Sequence, residues 1–251
     1  MAGDAAEMNS VLGKAKLILE AFSAEDNAVS LTELVRRTGI AKATVYRLAQ
    51  ELLQWGMLER AGTDYRLGLR LFEMGQRVPR QRILREAALP YMEDLLLATR
   101  ETIHFAVRDG LDVFYIEKII THQGLGKQSR VAGRLPLYCT ATGKVLLAYS
   151  GAELLADVVR AGLAPLTPYT IRSPLVLARQ LERVRQTRLA TEHEETRPGY
   201  GSMAVPIFGS ADIVVGALAI TAPNVRLNIT RFTTALRAAA EGISRKLRSA
   251  T

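Results

Sequence analysis

The sequence predicts an α+β chain: a small helical unit with a short hairpin, then linking helices, then a larger unit whose mainly antiparallel sheet is flanked by helices. Three observations carry this. Apolar residues recur at helical spacing through residues 9–55, with glycine-bearing breaks between the runs. Asp109-Gly110 separates two β-rich runs, a strong hairpin signal. Three further strand-like runs close the second half, with helices in between, and hairpins at both ends of a helical middle point to an antiparallel α+β arrangement.

The first helix is expected from about Asn9 to Phe22, where Val11, Ala15, Ile18, Leu19 and Phe22 share one face. The second begins at Ser30. Glu33 follows three residues later, a capping-box pattern in which the serine hydroxyl and the glutamate each satisfy a free backbone amide. Leu31, Leu34 and Val35 supply its short buried face. Thr38-Gly39-Ile40 breaks the helix, because glycine tolerates the left-handed backbone of a tight turn. The third helix runs from about Lys42 to Trp55 and buries Val45, Leu48, Ala49 and Leu52, with Gly56 as its stop. Met57–Arg60 and Tyr65–Leu67 read as two strands around Ala61-Gly62-Thr63-Asp64.

Residues 68 to about 100 read as helix in two pieces, interrupted at Val78-Pro79. Pro90 is expected to kink the second piece or mark its restart. Leu84, Ala87, Ala88, Tyr91 and Leu95 form the candidate buried stripe. Past Glu101, Ile103–Arg108 and Val113–Ile119 form the hairpin, and Gly126–Ala132 reads as a third strand. Cys139–Tyr149, Leu154–Arg160 and Pro174–Thr187 read as helices. Leu189–Thr196, Met203–Phe208 and Ile213–Thr221 read as strands, and Asn228–Leu247 as the closing helix. The expected domains are therefore residues 1–68, a helical linker over 69–100, and residues 101–251.

Composition narrows the function. A chain of 251 residues, 48% hydrophobic and 23% charged, suits two ordinary globular domains and argues against disorder. The single cysteine, Cys139, excludes an intramolecular disulfide and a thiol-rich zinc site. The opening MAGDAAEM is acidic with no apolar run behind it, so no secretory leader is expected. The longest apolar stretch, Ile213–Ile220, is too short to span a bilayer, and a soluble cytoplasmic protein is expected. The net charge of +8 and pI near 9.8 suggest a polyanionic partner. Residues 1–80, however, hold eleven Lys/Arg against ten Asp/Glu, while the remainder holds 22 against 15. The excess thus lies outside the first three helices, and local placement decides what they bind.

Three helices with a glycine turn before the third, followed by a hairpin, have the architecture of a winged helix-turn-helix. In that arrangement the second helix buttresses the third, which enters the major groove of double-stranded DNA. Lys42, Ala43, Thr44, Tyr46, Arg47 and Gln50 lie away from the apolar face of the third helix. Lys42 and Thr44 stand near its N-terminus, which favours phosphate, and Arg47 has the reach for a guanine edge or a phosphate. Arg36 closes the second helix, and Arg66 on the hairpin is placed for backbone phosphate or the minor groove. Surface solvation is the alternative reading of these cations.

Ser30-Leu31-Thr32-Glu33-Leu34 through Gly39-Ile40-Ala41-Lys42-Ala43-Thr44-Val45-Tyr46-Arg47-Leu48 resembles the opening of IclR-type transcriptional regulators. Gly56-Met57-Leu58-Glu59-Arg60 with Tyr65-Arg66-Leu67-Gly68 fits the same family. So do Arg134-Leu135-Pro136, Thr140-Ala141-Thr142-Gly143-Lys144, Glu194-Glu195, Pro198-Gly199 and Ala204-Val205-Pro206. The match covers roughly residues 10–248 in order. The resemblance implies a GAF-like C-terminal domain that binds a small effector, commonly an organic or aromatic acid, and alters operator affinity. It implies a homodimer or a dimer of dimers on a palindromic operator, with no cofactor and no membrane.

Carried over position by position, the family's effector contacts fall on Ala141 and Thr142, mostly through backbone amides, and on Glu192, Ser202, Ala219 and Thr221. Arg134, Leu135 and Met203, in or beside the matched motifs, complete the expected set. The chain departs from the family at three of these places: Ser202 stands for a frequent cysteine, Glu192-His193 for paired aspartates, Ala219 for a frequent serine. Tyr138 resembles the branch that senses hydroxybenzoate-type acids. On the residues alone, the alternatives are plain packing for Ser202, Ala219 and Thr221, a surface carboxylate for Glu192, and a helix cap for Thr140 or Thr142.

Two rival classes fit less well. Gly124-Leu125-Gly126-Lys127-Gln128 and Thr142-Gly143-Lys144-Val145 lack phosphate-loop spacing, and no G-x-S-x-G elbow is present. His104, His122 and His193 lack metal-ligand spacing and read as surface or satisfied residues. An enzyme would then need Cys139 paired with a distant histidine, against its reading as a small buried hydrophobe. The other rival is a dimerising scaffold that never meets DNA, which the run Lys42–Arg47 disfavours.

Overall fold

A computed structural model describes residues 10–120 and 131–249. They fall into two compact units that divide between Pro79 and Arg80.

The first unit holds α1 (Val11–Glu20), α2 (Leu31–Thr38) and α3 (Lys42–Gln54), then the strands β1 (Leu58–Ala61) and β2 (Asp64–Leu67) and the helix α4 (Leu69–Gln76). The caps are local. Ser10 Oγ accepts from the Gly13 amide at 2.9 Å, and Ser30 Oγ from the Glu33 amide at 3.2 Å. The expected capping box is half formed. The Glu33 carboxylate turns to Arg36 and Arg37, at 2.6 and 2.7 Å, because charge-assisted bonds to guanidinium outweigh a single amide. Gly39 ends α2 with φ +68°, the left-handed corner that frees α3 to leave at an angle. Ile18, Leu34, Val45, Leu48, Leu52 and Tyr65 close one core, each large side chain contributing roughly 1.5–3 kcal/mol by burial.

The second unit opens with α5 (Pro79–Thr99), whose first-turn proline suits the helix start. Helix runs through Pro90 without the expected restart. Its buried stripe is Leu84, Ala87, Ala88, Met92 and Leu95; Met92 takes the place expected for Tyr91, which is half-buried. The strands are β3 (Thr102–Asp109), β4 (Asp112–Ile119), β5 (Arg134–Pro136), β6 (Ala190–His193), β7 (Tyr200–Phe208) and β8 (Val214–Pro223). They form one antiparallel sheet in the order β5-β4-β3-β8-β7-β6. Of the strand expected over Gly126–Ala132, residues 126–130 lie outside the described residues, and Val131 and Ala132 form a turn before β5. Between β5 and β6 come α6 (Ala141–Ala148), α7 (Ala152–Ala161) and α8 (Pro174–Thr187); α9 (Ile229–Ser249) closes the unit.

The two sheet faces differ in a way that positions the site. Ile103, Phe105, Met203, Val205, Ile207, Leu218 and Ile220 share a core with buried residues of α5 and α9. The alternate residues, among them Ala106, Ala204, Ala217 and Ala219, share one with α6 and α8. Strand side chains alternate between faces, so β7 and β8 put their large residues on one side and alanines on the other. Small side chains let α6 come close, and all eight of its residues are buried.

Candidate functional site

In the first unit the outer side of α3 is laid open by the inward packing of Val45, Leu48, Ala49 and Leu52. Lys42, Ala43, Tyr46 and Arg47 are exposed, and Thr44 is half-buried. Ala41 provides no side-chain cap, so the first amides of α3 have no hydroxyl or carboxylate of their own to bond. Arg47 is tied to Glu51 at 2.6 Å and Arg36 to Glu33. Arg66 on the hairpin pairs with Glu59 at 2.9 Å, while the second Glu59 oxygen accepts from the Leu69 amide at the start of α4. Those two bonds, the amide first, hold the Glu59 carboxyl below its ordinary range. Gln50, expected on the outer face, is half-buried, and its amide lies 3.4 Å from the buried Tyr65 hydroxyl. Its i+5 offset from Val45 brings it round toward the hairpin.

In the second unit a cavity of about 50 Å³ opens between the sheet and the N-terminus of α6. The chain reaches it through β5 and a tight turn, Leu137–Cys139. Thr140 caps α6: its Oγ1 accepts from the Gly143 amide at 3.0 Å and donates to the Pro136 carbonyl at 3.1 Å. A Cβ on Gly143 would meet the Leu137 carbonyl at 2.2 Å, so the turn and helix close only over glycine. Thr140 is therefore the cap, and Thr142 is free of that duty. Thr142 Oγ1 is buried without a hydrogen bond of good geometry, a costly state in a packed interior.

The sheet supplies the opposite wall. Glu192, Ser202 and Thr221 stand directly across from one another on β6, β7 and β8. Ser202 and Thr221 hydroxyls bond at 2.9 Å, and Thr221 meets His104 Nδ1 at 3.3 Å. Glu192 is 2% exposed; its Oε2 accepts from the Glu195 amide at 3.0 Å. Burial pushes its carboxyl up to about 7, against the lowering bond from Ser202. Burial, with help from the Lys118 charge, holds His104 down to about 3. Beneath the wall Lys144 and Glu195 form an ion pair, both buried, and Lys144 Nζ also reaches the Thr191 carbonyl at 3.4 Å. Arg197 stacks over Tyr200 at 4.2 Å beside the cavity.

Seven of the expected effector residues line this cavity: Leu135, Ala141, Thr142, Glu192, Ser202, Ala219 and Thr221. Two do not. Arg134 is exposed, pairs with Asp109 and lies over Phe114. Met203 is fully buried in the core on the opposite sheet face, as alternation from Ser202 demands. Glu192 is no surface carboxylate. Tyr138 does not line the cavity: its hydroxyl donates to the Ala164 carbonyl at 2.5 Å. His104, Tyr115, Arg197 and Tyr200, not foreseen, do line it. The signal for His104 was its place on the strand facing Ala219, visible only once register is known. Cys139 is fully buried, and burial pushes its thiol up to about 12, which leaves no thiolate for catalysis.

Among the described residues no helix is long and apolar enough to cross a membrane. A family model described as the bacterial transcriptional regulator IclR C-terminal domain matches residues 76–245, and one described as the IclR helix-turn-helix domain matches residues 11–62. The HTH-type transcriptional regulator KdgR of Dickeya chrysanthemi is 35% identical over 233 residues, covering 90% of this chain and 76% of its own. XynR of Escherichia coli is 30% identical, covering 93% and 95%. The crystal structure of an IclR homolog from Microbacterium hydrocarbonoxydans, complexed with 4-hydroxybenzoate, superposes with a TM-score of 0.90 at 31% identity, covering 96% of this chain and 100% of that one. Thermotoga maritima IclR gives 0.79 at 31% identity, covering 94% and 98%.

Proposed function

The chain belongs to the IclR family of bacterial DNA-binding transcriptional regulators, and from that premise we propose that it senses a small carboxylic acid in the cavity at the start of α6 and changes operator affinity in response. Residues 1–68 act as the reader, 69–100 as the connector and 101–251 as the sensor. The observation that carries the sensor is one cavity in which the start of α6, with Ala141 and Thr142, faces the Glu192, Ser202 and Thr221 side chains of the sheet. Helix N-termini hold carboxylates through their first amides. The 4-hydroxybenzoate bound by the Microbacterium relative supports an acid as the ligand class.

In the reader, Lys42 and the open start of α3 take phosphate, while Thr44, Tyr46 and Arg47 face base edges. Ala43 leaves room for close approach, and Arg36 and Arg66 meet the flanking backbone. Gln50 acts by bracing the hairpin through Tyr65 as well as by facing the groove. Two copies bind a palindrome as a dimer, or as a dimer of dimers. To act as a switch the acid must bind the two states unequally, by about 1–3 kcal/mol.

Both halves are testable. With a duplex selected by the wild-type protein from random sequence, Arg47→Ala should lose roughly 1–3 kcal/mol of specific binding in fluorescence anisotropy. Undiminished binding removes α3 as the reader. Thr142→Trp should fill the cavity and abolish the effect of added acid on that duplex. A variant that still responds places the acid elsewhere.

A further inference from the structure

We infer that an acid held in this cavity enters together with one proton, which resides on Glu192; the inference rests on the reading of the cavity as the effector site. The geometry leaves little choice. At about 50 Å³ the cavity has room for a few water-sized groups. A carboxylate on the amides of Ala141 and Thr142 therefore sits close to Glu192, which lines the same space. Glu192 has no room to retreat, being held by the Glu195 amide and faced by Ser202 in strict cross-strand register.

The surrounding charges do not relieve the crowding. On α6, Lys144 is already engaged by Glu195, and the two charges of that pair act on Glu192 in opposite directions. In the turn before α6, the Cys139 thiol is neutral. On β3, His104 is held neutral by burial, and on β4 the Tyr115 hydroxyl is pushed up by burial and stays neutral too. Lys118, also on β4, lies beyond His104, and its own ammonium is lowered by burial. That leaves Arg197, stacked on Tyr200, to face an incoming anion from the loop after β6. Burial already lifts the Glu192 carboxyl to about 7. A neighbouring anion lifts it further. The proton is drawn from the buffer, and the neutral carboxyl becomes a donor to the acid's own oxygens, where a carboxylate would repel them.

The test uses the wild-type chain and the sodium salts of pyruvate, glycerate and 4-hydroxybenzoate. Each is titrated calorimetrically at pH 8 in phosphate and in Tris, whose ionisation heats differ. The expected result is a buffer-dependent heat equal to about one proton taken up per acid bound, with affinity falling about tenfold per pH unit above pH 7.5. Glu192→Gln should bind with equal heat in both buffers and a pH-independent constant. Should that variant misfold, the wild-type measurement decides alone. Binding with no proton uptake and no pH slope overturns this inference and leaves the effector site standing. Failure of all three salts to bind overturns the acid-sensing reading and this inference with it.

Discussion

In the N-terminal unit the Arg47–Glu51 and Arg66–Glu59 ion pairs stand largely in water. The side chains of Arg47 and Glu51 are 58% and 35% exposed, those of Arg66 and Glu59 55% and 37%. In the C-terminal unit Lys144 and Glu195 are 1% and 7% exposed. Similar chemistry therefore does opposite work. An exposed pair is worth little and is easily exchanged, so a phosphate or a base edge can replace Glu51 or Glu59 at small cost. A buried pair cannot be exchanged, because either charge alone would be stranded. On the proposed reading, the N-terminal unit holds these cations on loan to carboxylates. In the C-terminal unit the ion pair fixes α6 against the loop that frames the cavity.

The largest effect that would sharpen this contrast is at Lys144. Lys144→Met leaves the buried Glu195 carboxylate without the ammonium on its Oε1, its Oε2 having no hydrogen-bond partner to compensate, and should destabilise the C-terminal unit by about 3–5 kcal/mol. Urea unfolding followed by circular dichroism measures it. Trp55 is the single tryptophan, so its fluorescence tracks the N-terminal unit separately. A loss below about 1 kcal/mol would mean the pair is no more structural than Arg47–Glu51. Replacing both partners with apolar residues should recover much of the loss.

A smaller effect separates the two units by pH. Glu192 has its folded pKa raised from 4.5 to about 7. Its contribution to stability is complete below pH 4.5 and is lost as pH rises through 7, an amount of ~3 kcal/mol. Glu33 in the reader is lowered from 4.5 to about 2 by Arg36 and Arg37. Its contribution is complete above pH 4.5 and is lost as pH falls through 2, and solvent around the Arg36 guanidinium keeps it small. The stability of wild type minus that of Glu192→Gln, measured from pH 4.5 to 7.5, should fall by roughly that ~3 kcal/mol. A flat difference would mean that burial does not raise the Glu192 carboxyl.

The same contrast explains what could be read from residues alone. The reader's elements follow local rules: Ser30 caps, Gly39 turns, and Val45, Leu48 and Leu52 repeat at helical spacing. Its outer face is what remains. The cavity obeys no local rule. Glu192, Ser202, Thr221 and His104 come together from four strands, and only their register brings them into line. The family resemblance supplied most of that wall, while His104, Arg197 and Tyr200 needed the fold. Met203 failed for a local reason, since adjacent strand residues point to opposite faces. Glu33 failed because Arg36 and Arg37, one turn on, outcompeted the backbone for its carboxylate.

The smallest effect bears most directly on the idea of cations on loan. Glu51→Gln removes the partner that holds Arg47 at 2.6 Å. Two consequences follow with opposite signs. The helix loses an i,i+4 ion pair, a cost of about 0.3–0.5 kcal/mol in stability. DNA gains, because Arg47 no longer leaves a carboxylate to reach it and a negative charge next to the duplex has gone. Operator affinity should rise about twofold or threefold, which is ~0.5 kcal/mol. The rise should shrink as salt is added, since screening weakens both the pair and its loss. In the sensor the matching change, Glu195→Gln, has no such upside: it strands Lys144 in the interior and should lower stability with nothing gained. If Glu51→Gln instead weakens operator binding, the pair is positioning Arg47 for the groove, and the exposed ion pairs of the reader are then as structural as the buried one.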